Sequence, residues 1–430
     1  MNVIPGSYKL KAIELFSDFD DVFVLELGGI AIEVNLYESV FENCITGNLV
    51  LNDSRNVLGN LPVIGYETVT ISYSIDVRNP STNEITSENF NKSYKVHSVS
   101  NYQKPVATTA LYAINFISEE HFSDITTKIN KSYIGQPISD IANSILSNDL
   151  KIDADDINIE ATLPQQDLII PNWRPFEALN WLASRAISES YKGASYVFFQ
   201  NKNGYNFISL EGLFNDVDDS NIVTYTQVDR NYVPSPNNKE WHFRDIMSVD
   251  FDQSIDISDN ISSGMYANKV IEHDIVKRTF TVNVFNYSES YNSYVHMNDG
   301  KLDLENENSY SKRHDSKIMY IPKHTKKYDN LEYSDSKHTS IPIRASQLQQ
   351  LNNFAVTIMV AGDTTLAVGD VVELKIISPE YVGVRETWDP VYTGKYLIVR
   401  LKHTIDADKY TTTITAVKDT YRNPPEDILP

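Results

Sequence analysis

The carboxylates are the first residues to weigh for chemistry. Asp153, Asp155 and Asp156 open like a calcium loop. Such a loop also needs Gly at its sixth position and a bidentate Glu at its twelfth. Those positions hold Asn158 and Pro164. Asp216, Asp218 and Ser220 fail in the same way, with Asn221 and Gln227 in the two places. Both stretches read as solvated acidic turns. His314, His324 and His338 form the tightest histidine group, but no Cys stands near them to complete a zinc site. Cys44 is the single cysteine, so neither an intramolecular disulfide nor a thiolate-only zinc site can form. No dinucleotide-binding, Walker, nucleophile-elbow or H-E-x-x-H motif occurs. A carboxylate pair for glycoside hydrolysis would have to meet in space, and no spacing selects one. Trp173, Trp181, Tyr191 and Tyr196 could stack on a sugar, although packing in a core or an interface is the commoner use of such rings. The sequence therefore assigns no catalytic residue, no cofactor and no metal, and the expectation is a protein that is not an enzyme.

The elements around these residues are mostly β. Val69, Ile71 and Tyr73 alternate with Thr68, Thr70 and Ser72, the period of a half-buried strand. Tyr94, Val96 and Val99, then Leu111 to Ile117, continue the pattern, with Asn79-Pro80-Ser81-Thr82 as a turn or loop. Residues 1–118 read as one antiparallel β domain. Two amphipathic helices follow. The first starts near Pro137 and aligns Ile138, Ile141, Ala142, Ile145 and Leu146 on one face. The second starts near Asn172, a capping residue type, and buries Phe176, Leu179, Leu182, Ala183 and Ala186. Trp181 lies off that stripe and is expected to be partly exposed. With strands between Ser195 and Leu210, these helices make a small α/β domain, residues 119–205. Strand-like Val270 to Ile275 and Thr279 to Phe285 open a polar insertion at 245–340, where Lys312 to Lys327 gathers six Lys and Arg around one acid, Asp315. Such a segment reads first as a solvated surface loop. A short helix from Arg344 to Asn353 and strands between Phe354 and Val417 follow, then a C-terminal segment, 422–430, in which Asn423-Pro424-Pro425 ends regular structure.

Charge narrows the partners. The chain of 430 residues carries 58 acids against 37 Lys and Arg, a net charge of -21. Affinity for DNA comes largely from neutralising phosphates, so tight DNA binding is not expected, whereas DNA can pass a non-sticking acidic wall. The N-terminus lacks the basic and apolar regions of a signal peptide, and no run reaches the ~20 apolar residues of a membrane span. A reducing cytoplasm is the expected place of assembly, given the lone cysteine.

Several strings in order carry a resemblance to a known family. Leu36-Tyr37-Glu38-Ser39-Val40-Phe41 is followed by Ile45-Thr46-Gly47-Asn48-Leu49-Val50-Leu51-Asn52-Asp53-Ser54 and Leu61-Pro62-Val63-Ile64-Gly65-Tyr66-Glu67. Gly47 and Gly65 read as turn positions and Pro62 as a rigid corner. Pro171-Asn172-Trp173-Arg174-Pro175-Phe176-Glu177 precedes the second helix. Near the end stand Leu366-Ala367-Val368-Gly369-Asp370-Val371-Val372-Glu373-Leu374 and Tyr392-Thr393-Gly394-Lys395-Tyr396-Leu397-Ile398-Val399, then His403 and Tyr410-Thr411-Thr412-Thr413. Together these resemble the baseplate central hub proteins of T4-like contractile-tailed phages, which are related to the hub part of type VI secretion spike proteins. Thr46-Gly47 is echoed weakly by Thr393-Gly394.

The resemblance implies an α+β, mostly β fold. It has two tail-tube-like antiparallel β-barrel domains, 1–118 and a split 206–244 plus 341–421, with the α/β domain and the 245–340 insertion outside them. It implies a structural virion protein, a homotrimer adapting a six-fold tail tube to a three-fold central spike and forming part of the conduit for DNA and tape measure protein. The implied partners are the spike, the tail-tube protein or tube initiator, the tape measure and the surrounding wedge proteins; the implied location is the virion tail baseplate. Residues 286–340 have no clear counterpart, and no lysozyme-like module is present. Two other readings stay open: a carbohydrate-binding or carbohydrate-active β protein, and the hub of a type VI or phage-like injection particle.

Overall fold

A computed structural model describes residues 6–17, 23–61, 63–78, 85–215, 222–228, 244–253, 255–275, 277–303, 308–323, 337–379, 388–407 and 409–422. Pro62, the 79–82 turn, Asp216, Asp218, Ser220, Asn221, His324, Lys326, Lys327 and the 423–425 stop lie outside these residues.

Seven N-terminal strands form one antiparallel stretch of sheet. Its order is Ala31–Ser39, Thr46–Asp53, Thr109–Ile117, Ile85–Val106, Glu67–Arg78, Tyr8–Ser17 and Phe23–Glu26. The alternation at 68–73 places Val69, Ile71 and Tyr73 in its core with Leu49, Leu51, Ile114 and Phe116. Gly47 is not in a turn: it lies within Thr46–Asp53, where an added Cβ would run into the Phe116 ring and the Asn35 carbonyl. Close approach of neighbouring groups, not backbone freedom, is what demands glycine there. Gly65, at φ 107°, is a genuine left-handed position.

The C-terminal strands Phe354–Ala361, Tyr410–Lys418, Gly394–Asp406 and Val371–Lys375 build a second β unit. Val223–Gln227 adds to it in parallel beside Val371–Lys375. Ser248–Gln253 pairs with Phe354–Ala361, so this stretch belongs to the C-terminal sheet and not with the inserted strands. Among the described residues neither unit closes into a barrel. They form a single open, branched 14-stranded sheet. The edge that barrel closure would consume is spent elsewhere: Gly394–Asp406 bonds Val371–Lys375 through its first residues and Ala31–Ser39 through its last, with a register shift between Ile398 and Arg400.

The α/β unit packs where the helical spacing says it should. Ile138, Ile141, Ala142, Ile145 and Leu146 are all buried, and the Ile138–Ser144 helix continues as a π turn, Ile145–Asp149. The second helix is Pro175–Ala183, starting later than Asn172. Asn172 sits at φ 58° at an irregularity in the strand Gln166–Trp173, a conformation Asn tolerates better than most residues. Pro175 takes the first helical turn, and the Phe176 N–H donates to Asp124 Oδ1 at 2.7 Å. The cap thus comes from another helix, Glu120–Thr126.

The insertion contains a three-stranded sheet, Thr279–Asn286, Ala267–Asp274 and Ile318–Lys323 in that order. The helix assigned to Arg344–Asn353 runs instead over Lys337–Gln350, with Pro342 inside it. An interior proline forfeits one helical hydrogen bond. Packing overrides that loss: Ile343 is buried with Phe285 and Tyr287, and the Pro342 carbonyl accepts from Asn268 Nδ2 at 3.0 Å. Among the described residues no helix is long and apolar enough to cross a membrane.

Candidate functional site: the joint between the two β units

The Ala31–Ser39 strand has one free edge within its own unit, and Gly394–Asp406 fills it. The antiparallel register runs from Ser39 opposite Arg400 to Glu33 opposite Asp406. Side chains reinforce it: Thr404 Oγ1 donates to Asn35 Oδ1 at 2.9 Å, and Tyr8 Oη donates to the Asp406 carbonyl at 2.6 Å. Ile405 and Tyr410 from the C-terminal unit are buried in the N-terminal core.

Under this seam lies a polar joint fed by three units. Glu38 accepts the Val368 N–H at 3.3 Å. Lys202 Nζ donates to the Thr364 carbonyl at 2.8 Å and also to that of Thr365. His403 Nδ1 lies within hydrogen-bond distance of Tyr410 Oη, at 2.7 Å, and of Thr412 Oγ1, at 3.2 Å. These groups border a cavity of about 220 Å³ whose wall includes Glu38, Tyr73, Tyr94, Lys202, Tyr205 and His403. Burial pushes the Glu38 carboxyl up to about 7, against the lowering effects of the Val368 N–H and Lys202. Burial pulls Lys202 down, opposed by Asp370 and Glu38. Burial drives the His403 imidazole down to about 3.

These shifts give a pH signature. Glu38 ionises less readily folded than unfolded, so its contribution is complete below its ordinary value of 4.5 and is lost as pH rises through about 7. His403 acts in the opposite sense: its contribution is present above 6.5 and lost as pH falls through about 3. Glu38→Gln should therefore be more stable than the natural chain at pH 8 by ~1–3 kcal/mol, with no gain at pH 4. Urea unfolding at the two pH values checks this; an equal difference at both would show that Glu38 is not the titrating group.

Among the described residues, those weighed for catalysis are not brought together. Asp153, Asp155 and Asp156 are exposed around a 3-10 turn. Among the described residues no group of three His, Cys, Asp or Glu side chains could hold a metal. Trp173 and Trp181 meet edge to face at 5.2 Å, Arg185 covers the Trp181 ring at 4.0 Å, and Tyr196 is fully buried. These contacts use part of the ring surface for packing, and Tyr191 is half-buried. Trp181 is half-buried, as its place off the apolar stripe implies.

Ser195, His296 and Asp419, a set that sequence spacing does not bring together, border one small void. By type they resemble a hydrolase triad. By geometry they are not one. His296 Nδ1 meets Asp419 Oδ2 at 3.0 Å, but its Nε2 faces the Tyr291 carbonyl at 3.1 Å. Ser195 Oγ donates to Glu211 Oε2 at 2.5 Å. A triad requires the imidazole to accept the serine proton. Here the two pairs are separate buried ties.

No family model matches the chain, and no curated protein matches it. Solved structures do. The tail protein from Neisseria meningitidis MC58 is 11% identical with a TM-score of 0.53, over 97% of this chain and 98% of that one. The 43 kDa tail protein of prophage MuSo2 from Shewanella oneidensis is also 11% identical with a TM-score of 0.53, over 96% of this chain and all of that one. The chain shares its mostly β, α+β fold with these two tail proteins over nearly its whole length.

Proposed function

We propose that the chain is a structural component of a contractile tail, a homotrimeric baseplate hub whose paired β units form a pseudo-six-fold collar between tail tube and central spike. The observation that carries this reading is the edge-to-edge pairing of Ala31–Ser39 with Gly394–Asp406. It sets two β units from opposite ends of the chain side by side, as a three-fold ring offering six comparable faces requires. The whole-length fold shared with tail proteins and the hub-like strings at both ends support the same reading. The net charge of -21 suits a wall past which DNA slides without sticking. On this proposal the chain is not an enzyme and assembles with tube, spike, tape measure and wedge proteins in the virion.

Sedimentation velocity and electron microscopy of the full chain, alone and with candidate spike and tube proteins, test the assignment. The expected particle is a three-fold ring of three 48.9 kDa chains, favoured by partners through mass action. A chain that stays monomeric with those partners present, or a trimer without a central channel, would overturn it.

A further inference from the structure

One face of the inserted three-stranded sheet is covered and, among the described residues, the other is bare. On the covered side, Val270 and Phe285 are buried, and Phe285 packs with Ile343 of the Lys337–Gln350 helix. On the bare side the register aligns Val284, Val282 and Phe280 with the odd-numbered residues of Ala267–Asp274, and these with Ile318 and Tyr320. Phe280 is 63% exposed, Val282 54%, Val284 52%, Ile318 50% and Tyr320 56%. Half-exposed aromatics of ~200 Å² each, with three half-exposed aliphatic side chains, make a patch on the order of 500 Å², near the upper end for a soluble monomer.

Shape and charge identify the occupant. Three strands ~4.8 Å apart present a strip about 10 Å wide, the diameter of one α-helix. The hairpin end of the strip is basic. Lys277 and Arg278 are exposed in the hairpin turn beside Phe280, while Lys269, on the face itself, is paired with Asp315. The described acids of these strands and turns are spoken for: Glu272 and Asp274 are buried, and Asp315 pairs with Lys269. A two-fold pairing of two copies that brought the two hairpin turns together would set Lys277 and Arg278 against the same residues of the second copy. An anionic membrane would be repelled by the chain as a whole, at -21.

We propose that this face is a docking surface for an amphipathic helix of a partner protein, one whose apolar stripe is flanked by carboxylates. The inference stands on the sheet alone and does not depend on the hub reading.

Two synthetic helices of about 18 residues, each with one leucine stripe, flanked by Glu in one and Lys in the other, test it by fluorescence anisotropy on the full chain. The Glu-flanked helix should bind, and the Lys-flanked helix should bind at least about tenfold more weakly. Val282→Asp, Tyr320→Asp and the double change Lys277→Glu with Arg278→Glu should each weaken the Glu-flanked helix by about tenfold or more, without shifting the melting temperature, since these side chains are exposed. No binding of that helix, equal binding of both, or insensitivity to Val282→Asp would overturn the proposal. So would self-association of the natural chain that Val282→Asp abolishes, or retention on phosphatidylserine vesicles through the same residues.

Discussion

Leu182→Asp is expected to cost ~5 kcal/mol and to unfold the α/β unit at temperatures the natural chain withstands. Leu182 is fully buried, in one core with Leu179, Phe176, Ile141 and Ile145. The change removes an apolar side chain, worth ~2–5 kcal/mol in a core, and puts a carboxylate in its place with no partner within that apolar set. Leu179→Asp should behave alike, because Leu179 is equally buried. Circular dichroism melts of both variants, with Leu182→Met as a volume-conserving control, provide the measurement. Wild-type melting in both Asp variants would mean that this face of Pro175–Ala183 does not meet the core.

The second large effect is expected at Arg344. Its Nη1 donates to three backbone carbonyls, of Tyr196 at 2.6 Å, Ala194 at 3.2 Å and Ala183 at 3.3 Å. Burial lowers its pKa only to about 10, so it remains a cation at neutral pH. The Ala183 carbonyl is one of the orphan acceptors at a helix C-terminus, which a cation satisfies well. The contact also ties the Lys337–Gln350 helix to the α/β unit, about 150 residues away in sequence. Arg344→Met keeps the aliphatic stem and leaves those carbonyls without their charged donor. We expect a loss of ~2–4 kcal/mol, from the range for hydrogen bonds to charged groups plus the cost of stranded acceptors. Arg344→Lys should recover only part of it, because an ammonium is more strongly hydrated than a guanidinium and loses more on burial. Hydrogen exchange at Ala183 to Tyr196 should rise in Arg344→Met. Unchanged exchange there would show that the tie does not hold the two units together.

Much of the interior was legible because burial leaves a local period. Alternation at 68–73 marked a strand that buries Val69, Ile71 and Tyr73, and a three-and-four spacing marked the helix that buries Ile138 through Leu146. Element starts were less legible where the deciding group came from elsewhere. Asn172 looks like a cap, yet the helix begins after it because Pro175 and the distant Asp124 define its first turn. The helix expected from Arg344 begins earlier and runs through Pro342, because tertiary packing of Ile343 holds it. Gly47 looks like a turn, yet it makes room for Phe116 within a strand.

The sequence by itself determined the class of elements, the acidic character of the surface and the order of hub-like strings at the two ends, since each depends on composition or on neighbours a few residues apart. The tertiary structure alone decided how the ends meet. Backbone hydrogen bonding between Ala31–Ser39 and Gly394–Asp406 is indifferent to side-chain type, and closure over such a span leaves no local trace. That pairing turned two expected barrels into one open sheet. It also buried Glu38 and His403 beside a cavity that the half-buried Lys202 shares. The bare face of the inserted sheet was hidden for the same reason: its apolar residues come from strands more than thirty residues apart, in a stretch whose average composition is polar, and only strand register gathers them on one side.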